Sequence, residues 1–143
     1  MPEEKIVIKT KHGDLSLDQL AEVQPGMARL MDELARRWEY SYFAAKGGNW
    51  DLARHELKQV VGLLNIAVKL RPKYKEDIKA FISNYISHLN DAIEKRNWIQ
   101  FDKLIHSAID ASNVYHEKYG YGFIRYLLPK TPPEHLDLGP IKK

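Results

Sequence analysis

Ala44-Ala45-Lys46-Gly47-Gly48-Asn49-Trp50-Asp51-Leu52-Ala53 reads as the last turn of one helix, a corner, and the first turn of the next. Glycine enters the left-handed conformation that stops a helix at little cost. The Asn49 side-chain oxygen is suited to cap the first free N–H groups of the following helix, and Asp51 stands near the positive end of its dipole. Forty-eight residues on, Glu94-Lys95-Arg96-Asn97-Trp98 repeats the Asn-Trp pair, with Gln100 at capping-box spacing from the Asn. Two such corners, each opening a helix on a tryptophan, point to a duplicated helical hairpin.

Working outward from the corners, four segments carry apolar residues at spacings of three and four, the period of a helix that buries one face. The first runs from about Pro25, well placed as an initial helical residue, to Lys46, with a stripe of Met27, Leu30, Met31, Leu34, Trp38, Phe43 and Ala45. The second, Trp50 to Leu70, offers Ala53, Leu57, Val60, Val61, Leu64, Ala67 and Val68. Arg71-Pro72 closes it and opens the third, Pro72 to Arg96, with Tyr74, Ile78, Phe81, Ile82, Tyr85, Leu89 and Ile93. The fourth, Trp98 to Tyr119, turns Phe101, Leu104, Ile105, Ala108, Ile109, Ser112 and Tyr115 inward and stops at Gly120 and Gly122. Short links make successive helices antiparallel neighbours. At 1.5 Å per residue each is about 30 Å long. The expected fold is all-α: an antiparallel up-down-up-down four-helix bundle over residues 25–122, preceded by an N-terminal arm and short helix (1–24) and followed by an extended tail (123–143) that packs on the bundle.

In the arm, Lys5 to Thr10 alternates like a strand and His12-Gly13-Asp14 reads as a turn. A lone strand is marginal in water, so the arm is expected to pack on the bundle or on a partner. Ser16-Leu17-Asp18-Gln19 has capping-box spacing and opens a short helix ending near Val23. In the tail, Pro129, Pro132, Pro133 and Pro140 forbid a continuing helix.

Composition removes several function classes. With no cysteine there is no disulfide framework, thiolate zinc site, iron–sulfur cluster, cysteine nucleophile or thioether-linked haem. The 22 basic and 19 acidic residues leave a net charge of +3, which is no electrostatic case for nucleic acid. No stretch approaches the roughly 18 apolar residues of a membrane span, and the polar Met1–Lys11 lacks a signal-peptide core. As written the chain is expected to be cytoplasmic, or periplasmic if a leader was removed. Neither a Gly-x-Ser-x-Gly elbow nor a phosphate loop is present. Asp102, His106 and Asp110 share one helical face, and His55-Glu56 is at the wrong spacing for a di-iron pair, so no catalytic and no metal residues are assigned.

The aromatic residues are more informative. In an antiparallel bundle the end of the fourth helix lies beside the start of the first and the Pro72 turn. A pocket there would be lined by Met27, Met31, Tyr74, Tyr115, Tyr119 and Phe123, with His116, Asn113 and Arg125 as hydrogen-bond partners for the tyrosines.

The fourth helix ends in Ala111-Ser112-Asn113-Val114-Tyr115-His116, followed by Gly120-Tyr121-Gly122-Phe123-Ile124. This ending, with the Tyr42–Trp50 stretch, resembles the four-helix-bundle c-type cytochromes, the cytochrome c′-like group, over Pro25 to Ile124. It also resembles uncharacterised small helical-bundle proteins with the same Asn-x-x-His ending and Pro-Pro tail, for which no activity is implied. The cytochromes carry a C-x-x-C-H motif late in their last helix. The resemblance sets Ser112 and Tyr115 on the cysteine positions and His116 on the axial histidine. It therefore implies a relative that has lost covalent haem attachment, with noncovalent haem on His116 as the remaining haem chemistry and Ser112, Tyr115 and Tyr119 beside it. Two functions are expected from different classes. One is a non-enzymatic interaction or accessory module, acting through a protein partner or self-association. The other is a bundle that binds a small apolar or aromatic ligand, haem included.

Overall fold

In the computed structural model, which describes residues 6–142, the chain begins with two antiparallel strands, β1 (Val7–Thr10) and β2 (Gly13–Ser16), then α1 (Leu17–Glu22). Four long helical stretches follow: α2 (Met27–Gly47), α3 (Trp50–Leu70), a compound stretch made of α4 (Lys75–Phe81) and α5 (Ser87–Glu94), and α6 (Trp98–Lys118). The described residues are mostly helical, and no helix among them is long and apolar enough to cross a membrane.

The two Asn-Trp corners share their hydrogen bonds one for one. Asn49 N donates to Ala44 O and Asn97 N to Ala92 O, each at 2.9 Å. Each Asn side chain accepts from the N–H three residues on, Leu52 or Gln100, at 3.1 Å. The residue before each Asn is left-handed, Gly48 at φ 91° and Arg96 at φ 49°. Arginine tolerates that conformation less well than glycine, so the second corner forms against a backbone preference that the first avoids. The capping box at Ser16 and Gln19 also forms.

Cross-chain contacts give the helix directions. Arg37 meets Glu56 at 3.2 Å, Ser41 Oγ donates to Ala53 O at 2.9 Å, and Leu30 packs with Leu63 and Ala67. As one partner's number falls the other's rises, so α2 and α3 are antiparallel. Asp77 with Lys118 and Tyr74 with Tyr119 put the start of the α4–α5 stretch against the end of α6. Tyr42 OH donates to Asp102 at 2.9 Å and ties α2 to α6. Burial, then the bond to Asp102, pushes that phenol up to about 12.

The core is densest near the two corners, where Leu57, Val60, Leu89, Ile93, Phe101 and Ile105 are wholly buried. A second, smaller cluster of Leu30, Leu63 and Ala67 lies toward the other end. Three local differences from the sequence reading have physical causes. The arm is a hairpin rather than a lone strand, because Gly13–Ser16 pairs with Val7–Thr10; Lys5, read as the strand's start, lies outside the described residues. The first long helix starts at Met27 with Gly26 as its extended cap, two residues after Pro25. The third is interrupted by a π-turn at Ile82–Ile86, where Ser87 N reaches Ile82 O. Here Ile86 is buried and Tyr85 half-buried, so Ile86 takes the inward place expected of Tyr85.

Beyond Lys118 the described residues form no helix or strand, yet the tail is pinned along the helices. The Asn113 side chain brackets the Tyr126 backbone, donating to its O at 3.1 Å and accepting from its N at 2.8 Å. Tyr126 OH donates to Glu39 at 3.0 Å. The ring of His135 meets that of Tyr40 edge-on, and Asn49 Nδ2 donates to Asp137 O at 3.0 Å.

A Cβ at Gly47 would overlap the Leu138 carbonyl oxygen, whereas one at Gly62, on the exposed middle of α3, would meet nothing within 4 Å. Gly62→Ala is expected to stabilise by about 0.5–1 kcal/mol through helix propensity. Gly47→Ala makes the same helical gain but must push the tail off the corner, for a net loss of about 1–2 kcal/mol. Urea denaturation followed by circular dichroism separates the two; equal stabilisation would mean that the tail does not sit on the corner.

Candidate functional site

Where the core thins, away from the corners, a cavity of about 730 Å³ opens between α2, the start of the α4–α5 stretch and α6. Its size is that of a small-molecule site. α2 contributes Met27, Met31, Leu34 and Trp38; α4 contributes Ile78 and Phe81, with Tyr74 just before it; α6 contributes Ile109, Ser112, Tyr115 and His116, with Tyr119 as its C-cap. Tail residues Tyr121, Ile124 and Tyr126 complete the wall. The π-turn begins directly after Phe81, and such irregular turns often mark functional positions in helices.

All four residues singled out by resemblance, Ser112, Tyr115, His116 and Tyr119, line this one cavity. They do so because steps of three and four along α6 keep them on adjoining rows of one face. Five of the six residues placed in the pocket by aromatic clustering also line it. Phe123 does not: it is 77% exposed, and its neighbours Tyr121 and Ile124 take its place. Irregular backbone after Gly120 carries no periodicity from which its facing direction could be read. Trp38, Ile78 and Phe81 were legible as stripe positions but not as cavity lining. Tyr126 was legible only as one of the aromatic residues clustered after the fourth helix, and the charged lining groups gave no sequence signal.

The polar chemistry is concentrated on a few atoms. His116 Nδ1 lies 3.0 Å from Ile124 O. A carbonyl only accepts, so this nitrogen carries the proton in the neutral ring, and Nε2 keeps its lone pair. Asp77 accepts from Lys118 Nζ at 2.8 Å and from the Tyr119 hydroxyl. The Lys118 bond, then the Tyr119 bond, holds the Asp77 carboxyl below the usual carboxylate range, and in return Lys118 and Tyr119 are pushed up. Burial, reinforced by the Asp77 charge, raises the Tyr115 phenol, and burial with Glu39 raises Tyr126 further. Trp38 Nε1 is buried without a hydrogen-bond partner, an uncommon and costly state for a donor. Among the described residues no three His, Asp or Glu side chains converge as metal ligands; His106 and Asp102 approach to 3.2 Å on an exposed surface. The arrangement suits holding a mainly apolar molecule among rings, with polar contacts at the margin.

A depressed Asp77 contributes stability that is present above the unfolded carboxylate value of about 4 and is lost as pH falls through the folded value. Asp77→Asn is therefore expected to be less stable at neutral pH and to lose stability less steeply below about pH 4. Urea unfolding at a series of pH values checks this; parallel curves would mean that the Asp77, Lys118 and Tyr119 contacts do not persist in solution. Comparison of the chain with protein-family models, with curated proteins and with solved structures finds no match.

Proposed function

We propose that the four long helical stretches form an up-down-up-down four-helix bundle whose role is to hold a small apolar or aromatic molecule in the cavity beside His116. One observation carries the reading: a half-open cleft of about 730 Å³ is lined by Trp38, Phe81, five tyrosines and apolar side chains. A concave, largely apolar cleft with a few polar groups at its margin is the usual form of a small-molecule site. The size and lining of this cleft suit an occupant of that kind.

Noncovalent haem is the sharpest version. His116 supports it, since a ligating histidine characteristically donates its other N–H to a carbonyl or carboxylate, as His116 Nδ1 does to Ile124 O. The flanking rings of Tyr115 and Tyr119 and the apolar α2 face would hold a flat macrocycle. Haem bound there would supply an iron centre for electron transfer or gas binding. Ser112 and Tyr115 provide no thiolate, so attachment would rest on His116 and packing alone.

The neutral probe N-phenyl-1-naphthylamine should brighten and saturate with the full chain. Ser112→Phe, which fills the cavity, should weaken it by about tenfold or more. No saturable enhancement would end the ligand-holding reading. Haem titration tests the narrower version: a Soret shift lost in His116→Ala supports it, and an unshifted spectrum removes haem.

A second reading, an interaction module acting by self-association or with a protein partner, is favoured by the arm. Ile6, Val7, Ile8, Leu17 and Val23, spread over the hairpin and α1, are each more than 40% exposed, and a two-stranded hairpin is too small to be stable alone. Light scattering across micromolar concentrations should then report a dimer or larger species that Val7→Lys with Val23→Lys dissolves. A monomer at every concentration would exclude self-association.

A further inference from the structure

The charged groups around the cavity are unevenly engaged. Four charged side chains line it: Asp32, Asp77, Arg71 and Lys73. Both carboxylates have cationic neighbours, Asp77 with Lys118 at 2.8 Å and Asp32 with Arg36 at 3.8 Å. The two cations have no anionic partner among the described residues. Among the described residues Arg71 forms no ion pair; its guanidinium donates to the Leu70 backbone oxygen at 2.8 Å and to the Gln24 amide oxygen at 3.4 Å. Lys73 likewise forms none, and its Nζ stands 5.0 Å from the centre of the Tyr74 ring.

These cations flank Pro72, at the link where α3 gives way to the next helical stretch. Both line the cavity at this link, Arg71 half-buried and Lys73 exposed, whereas Trp38 and Ile109 are buried in its inner wall. A guanidinium fork and a nearby ammonium make a strong receptor for a planar oxyanion, because Arg binds a carboxylate through two parallel N–H bonds and Lys adds a point charge. An apolar interior with unpaired cations on one side has the complementary form of an amphipathic acid. We infer that the cavity takes an organic carboxylate, a fatty or aryl acid, with its apolar body among the α2 and α6 side chains and its carboxylate on Arg71 and Lys73. This deepens the proposed ligand-holding role and rests on it.

The two ideas separate in one experiment on the full chain. Decanoate and decan-1-ol, which share a tail and differ in the head, are each used below micellar concentration to displace N-phenyl-1-naphthylamine. Decanoate should displace the probe at about tenfold lower concentration than the alcohol, and added salt should erode that advantage. In Arg71→Gln with Lys73→Gln the acid should weaken by about tenfold while alcohol and probe affinities stay as they were. Lys73→Gln alone, at an exposed position, should give part of that loss, so the result does not hang on Arg71, whose side chain also bonds the end of α3. Equal affinity for acid and alcohol overturns the carboxylate assignment but leaves the ligand-holding role standing. So does an acid preference that survives in the double variant. If the probe itself does not bind, both fall.

Discussion

Asn49 is the residue through which the two ends of the molecule are coupled. Its side-chain oxygen caps α3 by accepting from Leu52, while its Nδ2 holds the Asp137 carbonyl of the tail. The same corner needs glycine twice, for different reasons. Gly48 supplies the left-handed residue that ends α2, and Gly47 leaves the space that the Leu138 carbonyl occupies. At the second corner Lys95 and Arg96 stand in the equivalent places. The duplicated corners thus have the same hydrogen bonds and differ in whether the tail lies on them. A tail fixed at Asp137 and again at Tyr126 runs from the corner back to the cavity, where Tyr121, Ile124 and Tyr126 form part of the wall. Tail seating and cavity shape are therefore mechanically linked.

Packing and polar order are divided along the length of the helices. Near the corners, buried aliphatic and aromatic side chains supply most of the cohesive energy, each large residue contributing about 1.5–3 kcal/mol. Glu56 lies on the buried face of α3 and is held by Arg37 at 3.2 Å. Such a pair adds little net stability, but losing one partner strands a buried charge, so it fixes the register of α2 against α3 more than it strengthens it. Toward the other end the apolar fill gives way to hydrogen-bonded rings. Tyr119 on Asp77, Tyr126 on Glu39 and His116 on the tail carbonyl each fix a side chain bulky enough to collapse into the space. These bonds keep the cavity walls apart where packing does not.

The helical hairpins were legible because their signals are local: a cap, a left-handed residue and a 3.6-residue stripe all act within one or two turns. α3 begins and ends where its flanking Asn49 and Arg71-Pro72 dictate. The cavity was partly legible, since antiparallel order alone brings Met27, Met31, Tyr74, Tyr115 and Tyr119 to one end. What escaped depends on non-local geometry. The π-turn at Ile82–Ile86 contains no Gly or Pro to announce it in the sequence. The replacement of Phe123 by Tyr121 and Ile124 follows from the tail's path, fixed by Asn113 and Asn49 from elsewhere in the chain. The pairing of Gly13–Ser16 with β1 was hidden because a four-residue strand carrying Gly and Asp lacks strand propensity.

The charge arrangement around the cavity follows from the same division. Asp77 lies one helical turn from Tyr74 and faces α6, so Lys118 and Tyr119 reach it across the helix pair. Arg71 and Lys73 sit just before that turn, on the link itself, where no helix of the described chain brings a carboxylate within ion-pair distance. A charge beside apolar space gains less from water than one on an open surface, and its field is screened less. For the proposed occupant the consequence is directional: the apolar body would lie in the interior and an anionic end at the Pro72 margin. Orientation of the occupant would thus be set by two residues of a link that no hydrophobic pattern selects, while its shape would be set by the rings of α2, α4 and α6.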